Sequence, residues 1–172
     1  MYDVIIIGAG PAGISAGIYS ASRGKKTLIL EKAKVGGLIG SVSTVTHYAS
    51  VGQQESGAEF ARRLEEQALR SGVEIRIAEV TGVELTGAVK TISTTAGEFQ
   101  AAKVILASGT SPRRLDIPGA DQLTGRGMAM NAARDGESYA GKQVFVVGGA
   151  DGAVRPYSVR TSVGGWFAVC RS

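Results

Sequence analysis

Cysteine is almost absent from this chain: Cys170 is the only one in 172 residues. A single thiol excludes an internal disulfide within these residues, and with it any metal cluster built on paired cysteines. Long apolar runs are missing as well. No stretch approaches the roughly 20 residues that a membrane span requires. The start, Met1-Tyr2-Asp3-Val4, runs straight into an aliphatic segment and lacks the basic, apolar and small-residue zones of a signal peptide. A cytoplasmic protein without membrane contact is the expectation. Histidine and tryptophan occur once each, at His47 and Trp166. No block of like charge suggests a disordered tail.

One further absence is local. Residues 155–172 hold Arg155, Arg160 and Arg171 but no Asp or Glu, so they supply three of the four charges in the net +4. The remaining chain is near neutral, with its basic residues interleaved with acids. A nucleic-acid partner, which needs a clustered basic surface, is therefore not expected.

What is present is enough to bury one sizeable core and begin a second, at 44% hydrophobic residues. Val4 to Ile7 is an unbroken aliphatic run, as in a parallel strand covered on both faces. Gly8-Ala9-Gly10-Pro11-Ala12-Gly13 follows at once. Ile14 to Arg23 then reads as a helix, with Ile14, Ile18 and Ala21 at helical spacing and Gly24 as a stop. Thr27 to Leu30 is a second apolar strand with Glu31 at its carboxyl end. The whole is a βαβ unit.

The glycine spacing carries chemistry. Gly8 permits the tight turn, Gly10 lets a pyrophosphate approach the backbone, and Gly13 allows close packing of helix on strand. The helix N-terminus offers free N–H groups and a positive dipole end to phosphates. Glu31, 18 residues after Gly13, falls where a carboxylate accepts from ribose hydroxyls and repels a 2′-phosphate. The spacing predicts a dinucleotide site. By itself it does not separate FAD from NAD.

Further along, Lys34 to Ser50 reads as a long loop and Ser56 to Ser71 as an amphipathic helix, with Phe60, Leu64, Ala68 and Leu69 on its apolar side. From Val73 the period shifts towards two. Strands are expected around Ile75 and Ile77, Val83 to Leu85, Val89 to Thr95 and Phe99 to Ala101. Val104 to Ala107 reads as a separate buried strand ending in Ser108-Gly109-Thr110. Ser111 to Asp135 looks irregular, and Val144 to Val147 opens a second strand-and-glycine unit at Gly148-Gly149-Ala150.

Several stretches together resemble the thioredoxin reductase branch of the pyridine nucleotide-disulfide oxidoreductases. They are Ile6 to Gly13, Gly36-Gly37, Val104 to Thr110, Ile117-Pro118-Gly119, Thr124 to Gly127 and Gly141 to Gly149. The resemblance implies an α/β fold: a Rossmann-type three-layer FAD-binding domain of three or four parallel strands, an antiparallel excursion over residues 80–101, and the start of a second dinucleotide-binding domain. It implies an FAD-binding domain over 1–112, a crossover and the beginning of an NADPH-binding domain over 113–153, and an atypical tail over 154–172.

The cofactor it implies is FAD, held by Gly8, Gly10, Pro11, Ala12, Gly13, Glu31 and Lys32. Gly36 and Gly37 would lie against it, and Ala107, Ser108 and Gly109 beside the flavin. NADPH would meet Gly148 and Gly149, in a turn whose third glycine is replaced by Ala150. His47 and Tyr48 resemble the Asn-Tyr or Asn-Trp pair near the isoalloxazine, where His47 can donate to a flavin carbonyl or relay a proton. As a lone loop histidine it fits an ordinary surface role equally well. A ferredoxin- or thioredoxin-like redox partner and a homodimer are further implications.

Two departures limit the resemblance. Where such reductases carry Cys-x-x-Cys, this chain has Asn131 and Arg134, neither of which can form a thiolate or attack a disulfide. No catalytic residue is therefore assigned, and Asp135 reads as a turn residue before Gly136. The second departure begins after Ala153, where the family continues as a helix but Pro156 interrupts one. If Arg155-Pro156-Tyr157-Ser158 is encoded as AGG-CCN-TAY-TCN, the neighbouring frame reads Glu or Lys, Ala, an aliphatic residue, then Leu or Phe. A frameshifted or truncated product is the expectation, with a genuine divergent tail as the alternative. The isolated chain is then expected to bind FAD weakly or through a partner, without NADPH-driven turnover.

Overall fold

The computed structural model describes residues 1–46, 48–52, 54–111, 117–129, 135–139, 141–147 and 166–169. The chain divides into two compact units, 1–111 and 112–172.

The first unit is built on one six-stranded sheet. Its strands are β1 (Tyr2–Ile7), β2 (Thr27–Glu31), β3 (Glu74–Ile77), β4 (Val80–Glu84), β5 (Lys90–Thr94) and β6 (Gly97–Leu106), in the spatial order β3-β2-β1-β6-β5-β4. The first four in that order run parallel, and β5 and β4 extend the sheet antiparallel. The helices are α1 (Pro11–Ser22) and α2 (Gly57–Arg70), with a 3₁₀ helix at Gly37–Ser41.

Side-chain alternation along the central strands assigns each residue a face. Ile6 and Ile29 point towards the helices and pack with Ile14 of α1, Ala68 of α2 and Val73. Ile5, Leu28 and Leu30 point the other way, into a core of Ala78, Ile92 and Ala101 with Phe99 and Val104 alongside. That second cluster is made of strand residues and the β3–β4 connection alone. Both faces of β1 and β2 are dry, which explains their unbroken aliphatic runs.

Four expectations need correction. The strands read as Phe99 to Ala101 and Val104 to Ala107 are one continuous strand, β6. Its first half pairs antiparallel with β5 and its second half parallel with β1, the two ladders meeting at Ala101, so Lys103 lies inside a single strand opposite Val4. Helix α1 starts at Pro11, with proline at the first helical position where its missing N–H costs nothing. The loop from Lys34 carries the 3₁₀ helix. In α2 the buried stripe is Gly57, Phe60, Ala61 and Ala68, whereas Leu69 is exposed. Nine residues beyond Phe60, at about 100° per residue, it lies half a turn away.

The second unit contains a four-residue helix, α3 (Ala120–Leu123), inside the stretch expected to be irregular. Asp135 lies at the head of a 3₁₀ turn (Gly136–Tyr139) and its carbonyl accepts from Ser138 Oγ at 2.6 Å. Strand β7 (Val144–Val147) pairs in parallel with β8 (Trp166–Val169), with Val144 opposite Trp166 and Val147 opposite Val169. The sequence had not suggested β8, which lies within the tail. Among the described residues no helix is long and apolar enough to cross a membrane, and no group of His, Cys, Asp or Glu is placed to hold a metal ion.

Candidate dinucleotide-binding site

The turn from β1 into α1 is shaped by backbone contacts that leave no room for side chains. Gly8 has φ +106°, and a Cβ there would stand 2.3 Å from the carbonyl oxygen of Ala107. A Cβ on Gly13 would stand 1.9 Å from the carbonyl oxygen of Gly8. Both distances are far inside van der Waals contact, so only glycine fits. The carboxyl end of β6 is thereby locked to the turn, with Ala107 N–H donating to the Ile7 carbonyl at 2.8 Å.

Gly10 differs. A Cβ there would meet nothing within 4 Å, so this side of the turn faces open space. No side chain caps the start of α1 and no acid occupies its first turn. A helix N-terminus left this way is suited to a diphosphate, because its N–H groups lack competing acceptors and its dipole favours negative charge.

Glu31 sits at the end of β2, beside this turn. Its Oε2 accepts from Ala9 N–H at 2.9 Å and its Oε1 from Ala33 N–H at 3.0 Å. A carboxylate offers about four acceptor sites, so two remain for ribose hydroxyls. Ala9 is fully buried and tied on both sides, since its carbonyl accepts from Gly36 N–H at 2.8 Å. The structural use of Glu31 was missed in the sequence, although Ala9 between two glycines was a visible candidate for such a bond.

Gly37 approaches the turn from the opposite side: a Cβ there would lie 3.6 Å from Gly10 Cα. Gly36 has φ +106°, and its Cβ position would fall 2.4 Å from Ala61 Cβ, so α2 sets the space limit there. Pro11, Ala12 and Gly13 form the first helical residues. Lys32 is exposed next to Glu31, while Ser108 and Gly109 are exposed just past β6. Tyr48 packs edge-on against Phe60, with ring centroids 4.9 Å apart. His47, Asn131, Arg134, Gly148 and Gly149 lie outside the described residues.

Carboxylates at the flanks are held below their usual range. Glu55 is lowered chiefly by its hydrogen bonds from Arg63, and Glu59 by those from Ser56. On the strand-only face Glu74 is lowered chiefly by Tyr2, whose hydroxyl donates to it at 2.8 Å.

A parallel sheet, a glycine turn opening onto a bare helix N-terminus and an acid at the end of the second strand define a Rossmann-type dinucleotide-binding fold. The chain belongs to the pyridine nucleotide-disulphide oxidoreductase family, whose model matches residues 2–154. Its likeness is to the thioredoxin reductases, FAD-dependent oxidoreductases. It is 40% identical over 154 residues to the thioredoxin reductase of Peptoclostridium acidaminophilum, covering 90% of this chain and 49% of that one. It is 39% identical over 155 residues to a bifunctional thioredoxin reductase/thioredoxin of Mycobacterium leprae, covering 90% and 34%.

Among solved structures it resembles thioredoxin reductase of Lactococcus lactis, with TM-score 0.84 and 34% identity over 99% of this chain and 56% of that one. It also resembles a ferredoxin-flavin thioredoxin reductase of Clostridium acetobutylicum, with TM-score 0.59 and 27% identity over 99% and 60%. The chain spans about half the length of most of the curated relatives it matches.

Proposed function

We propose that this chain is the FAD-holding part of a thioredoxin reductase-like oxidoreductase that exchanges electrons between a reduced donor and an acceptor without an internal dithiol. The single observation that carries the dinucleotide assignment is the turn at Gly8 to Gly13, which opens onto an uncapped helix N-terminus beside Glu31, and the likeness to thioredoxin reductases makes that dinucleotide FAD.

In this reading the N–H groups at the start of α1 bind the pyrophosphate and Gly10 admits it. Glu31 accepts from the ribose while keeping Ala9 in place. Gly37 bounds the site on the far side, and Ala107 to Gly109 border the flavin. FAD, when bound, supplies two-electron redox chemistry that no side chain of the chain can supply. By the resemblance, His47 and Tyr48 would contact the flavin, with His47 as a hydrogen-bond donor. Gly148 and Gly149 open an NADPH site.

Asn131 and Arg134, standing where a redox cysteine pair is found in related reductases, support an external acceptor. The donor is NADPH or a ferredoxin-like protein. The ferredoxin-flavin relative supports the second choice, and the bifunctional relative supports a thioredoxin-like protein as partner. A second reading, a non-catalytic FAD-binding module, is favoured by Asn131 and Arg134 standing where related reductases carry their redox cysteine pair.

The test is to purify the chain, measure its flavin content and titrate it with FAD and with NAD. Photoreduction follows, with reoxidation by ferredoxin, thioredoxin and oxygen. Saturable FAD uptake with fast reoxidation by one protein acceptor supports the oxidoreductase. Uptake with slow reaction only with oxygen supports the module, and preference for NAD over FAD overturns both.

A further inference from the structure

The connection between the 3₁₀ helix and α2 is tied down by a pair of side chains that the dinucleotide site does not use. Glu55 lies just ahead of Ser56, the N-cap of α2, and Arg63 lies two turns into that helix. Arg63 Nε donates to Glu55 Oε1 at 3.0 Å and Arg63 Nη2 to Oε2 at 2.9 Å, a bidentate arrangement. The same Nη2 donates to the Ser50 carbonyl at 3.1 Å, and Gly52 N–H donates to Glu55 Oε2 at 3.1 Å. One guanidinium and one carboxylate thus gather Ser50, Gly52 and α2 at a single point.

Bidentate pairs of this kind hold geometry far better than an ordinary surface ion pair. The Glu55 side chain is only 14% exposed. The turn they close also contains two non-glycine residues in the left-handed region, Ser50 at φ +62° and Gln54 at φ +65°. Such residues persist where neighbouring contacts hold them.

A continuous set of contacts leads from this pair to the phosphate turn. The Glu55 carbonyl accepts from Val45 N–H at 2.9 Å, and Val45 is buried. Gly57 N–H donates to the Val42 carbonyl at 3.1 Å, and Val42 N–H to the Ile39 carbonyl at 3.2 Å. A Cβ on Gly57 would stand 1.9 Å from Ile39 O, so α2 and the 3₁₀ helix touch backbone to backbone. The 3₁₀ helix in turn begins at Gly37, against Gly10, while Gly36 bonds Ala9.

We infer that Arg63 and Glu55 are positioning residues, a latch that holds the 3₁₀ segment Gly37–Ser41 at the phosphate turn and so sets the far wall of the dinucleotide site. Its consequence for cofactor affinity rests on the FAD reading above. Its mechanical part does not.

The experiment compares Arg63→Ala, Arg63→Lys, Glu55→Gln and the Arg63→Ala/Glu55→Gln double variant. Glu55→Gln keeps the packing of Arg63 over the Phe60 ring and so separates the latch from that contact. The readouts are amide hydrogen exchange at Gly36, Val42, Val45 and Gly57, the FAD dissociation constant, and the visible circular dichroism of bound flavin.

In the single variants these amides exchange about tenfold faster while those of Ile5 and Ile29 are unchanged. FAD binds about three- to tenfold more weakly with an altered dichroic band. Arg63→Lys recovers part of the effect, because an ammonium reproduces the charge but not the fork. The double variant is no worse than either single. Unchanged exchange at Val45 and Gly57 overturns the latch. Faster exchange with unchanged FAD affinity and dichroism overturns its positioning role. Should the unaltered chain take up no FAD, the functional reading fails on its own. Exchange at Gly36 then decides the latch: acceleration in Arg63→Ala supports it, and none overturns it.

Discussion

The glycine turn after β1 and the connection leading into α2 are held by different physics. At the turn, backbone meets backbone with no space for a Cβ at Gly8 or Gly13. In the connection, a side-chain pair spanning eight residues gathers a loop that includes two strained positions. The first kind of order is written into the turn by glycine and cannot be relaxed by a rotamer change. The second depends on a charge pair, and pH can weaken it.

Gly13→Ala puts a methyl group into the Gly8 carbonyl and should have the largest effect. It is expected to cost about 3 kcal/mol. Thermal unfolding measures that, and a change below 1 kcal/mol would mean the turn is softer than the connection. Glu31→Ala comes next, because it strips the fully buried Ala9 N–H of its acceptor. About 1–3 kcal/mol of stability is expected to go, with at least tenfold weaker FAD binding in a calorimetric titration. Intact affinity would remove Glu31 from the ribose.

Ser56→Ala breaks the capping box in which Ser56 Oγ accepts from Glu59 N–H and Glu59 accepts from Ser56 N–H. A loss of about 1 kcal/mol is expected by chemical denaturation. Acid should act on the same region. The carboxyls of Glu55 and Glu59 are held below the ordinary 4.5, so their contribution is complete above that pH. It is lost as pH falls through the lowered values. Protection of the Val45 amide, taken relative to the intrinsic exchange rate at each pH, should fall before that of β1 between pH 6 and 3, and simultaneous loss would show that the two regions are one unit. The smallest stability effect is expected from Gly10→Ala, within about 0.5 kcal/mol, since nothing lies within 4 Å. FAD binding should nevertheless weaken about tenfold, and unaltered binding would move the pyrophosphate elsewhere.

Much of this was legible in the sequence. The spacing of Gly8, Gly10 and Gly13 requires a particular backbone, and Glu31 stands at a fixed distance behind it. The aliphatic runs of β1 and β2 announced burial on both faces. The capping box at Ser56 and Glu59 was readable by the same logic, as an Ser-x-x-Glu ahead of an apolar stripe. Leu69 misled because a hydrophobic residue near a stripe was counted as part of it, while helical geometry turns it away. The reading of β6 as two strands missed that Ala102 and Lys103 continue the strand while the pairing passes from β5 to β1. Nothing in the sequence paired Arg63 with Glu55 rather than with another of the acids around α2, and nothing foretold that β8 would pair with β7.

By itself, then, the amino-acid sequence determined the βαβ unit, its glycine turn and the family. These rest on local rules: glycine where a Cβ clashes, alternation along a strand, an acid at the end of the next one. Tertiary structure alone decided that Glu31 holds Ala9, that the pairing of β6 passes from β5 to β1, and that Arg63 of α2 meets Glu55. Each of these depends on which groups meet across the fold, and meeting is a property of distance in space that spacing along the chain does not carry.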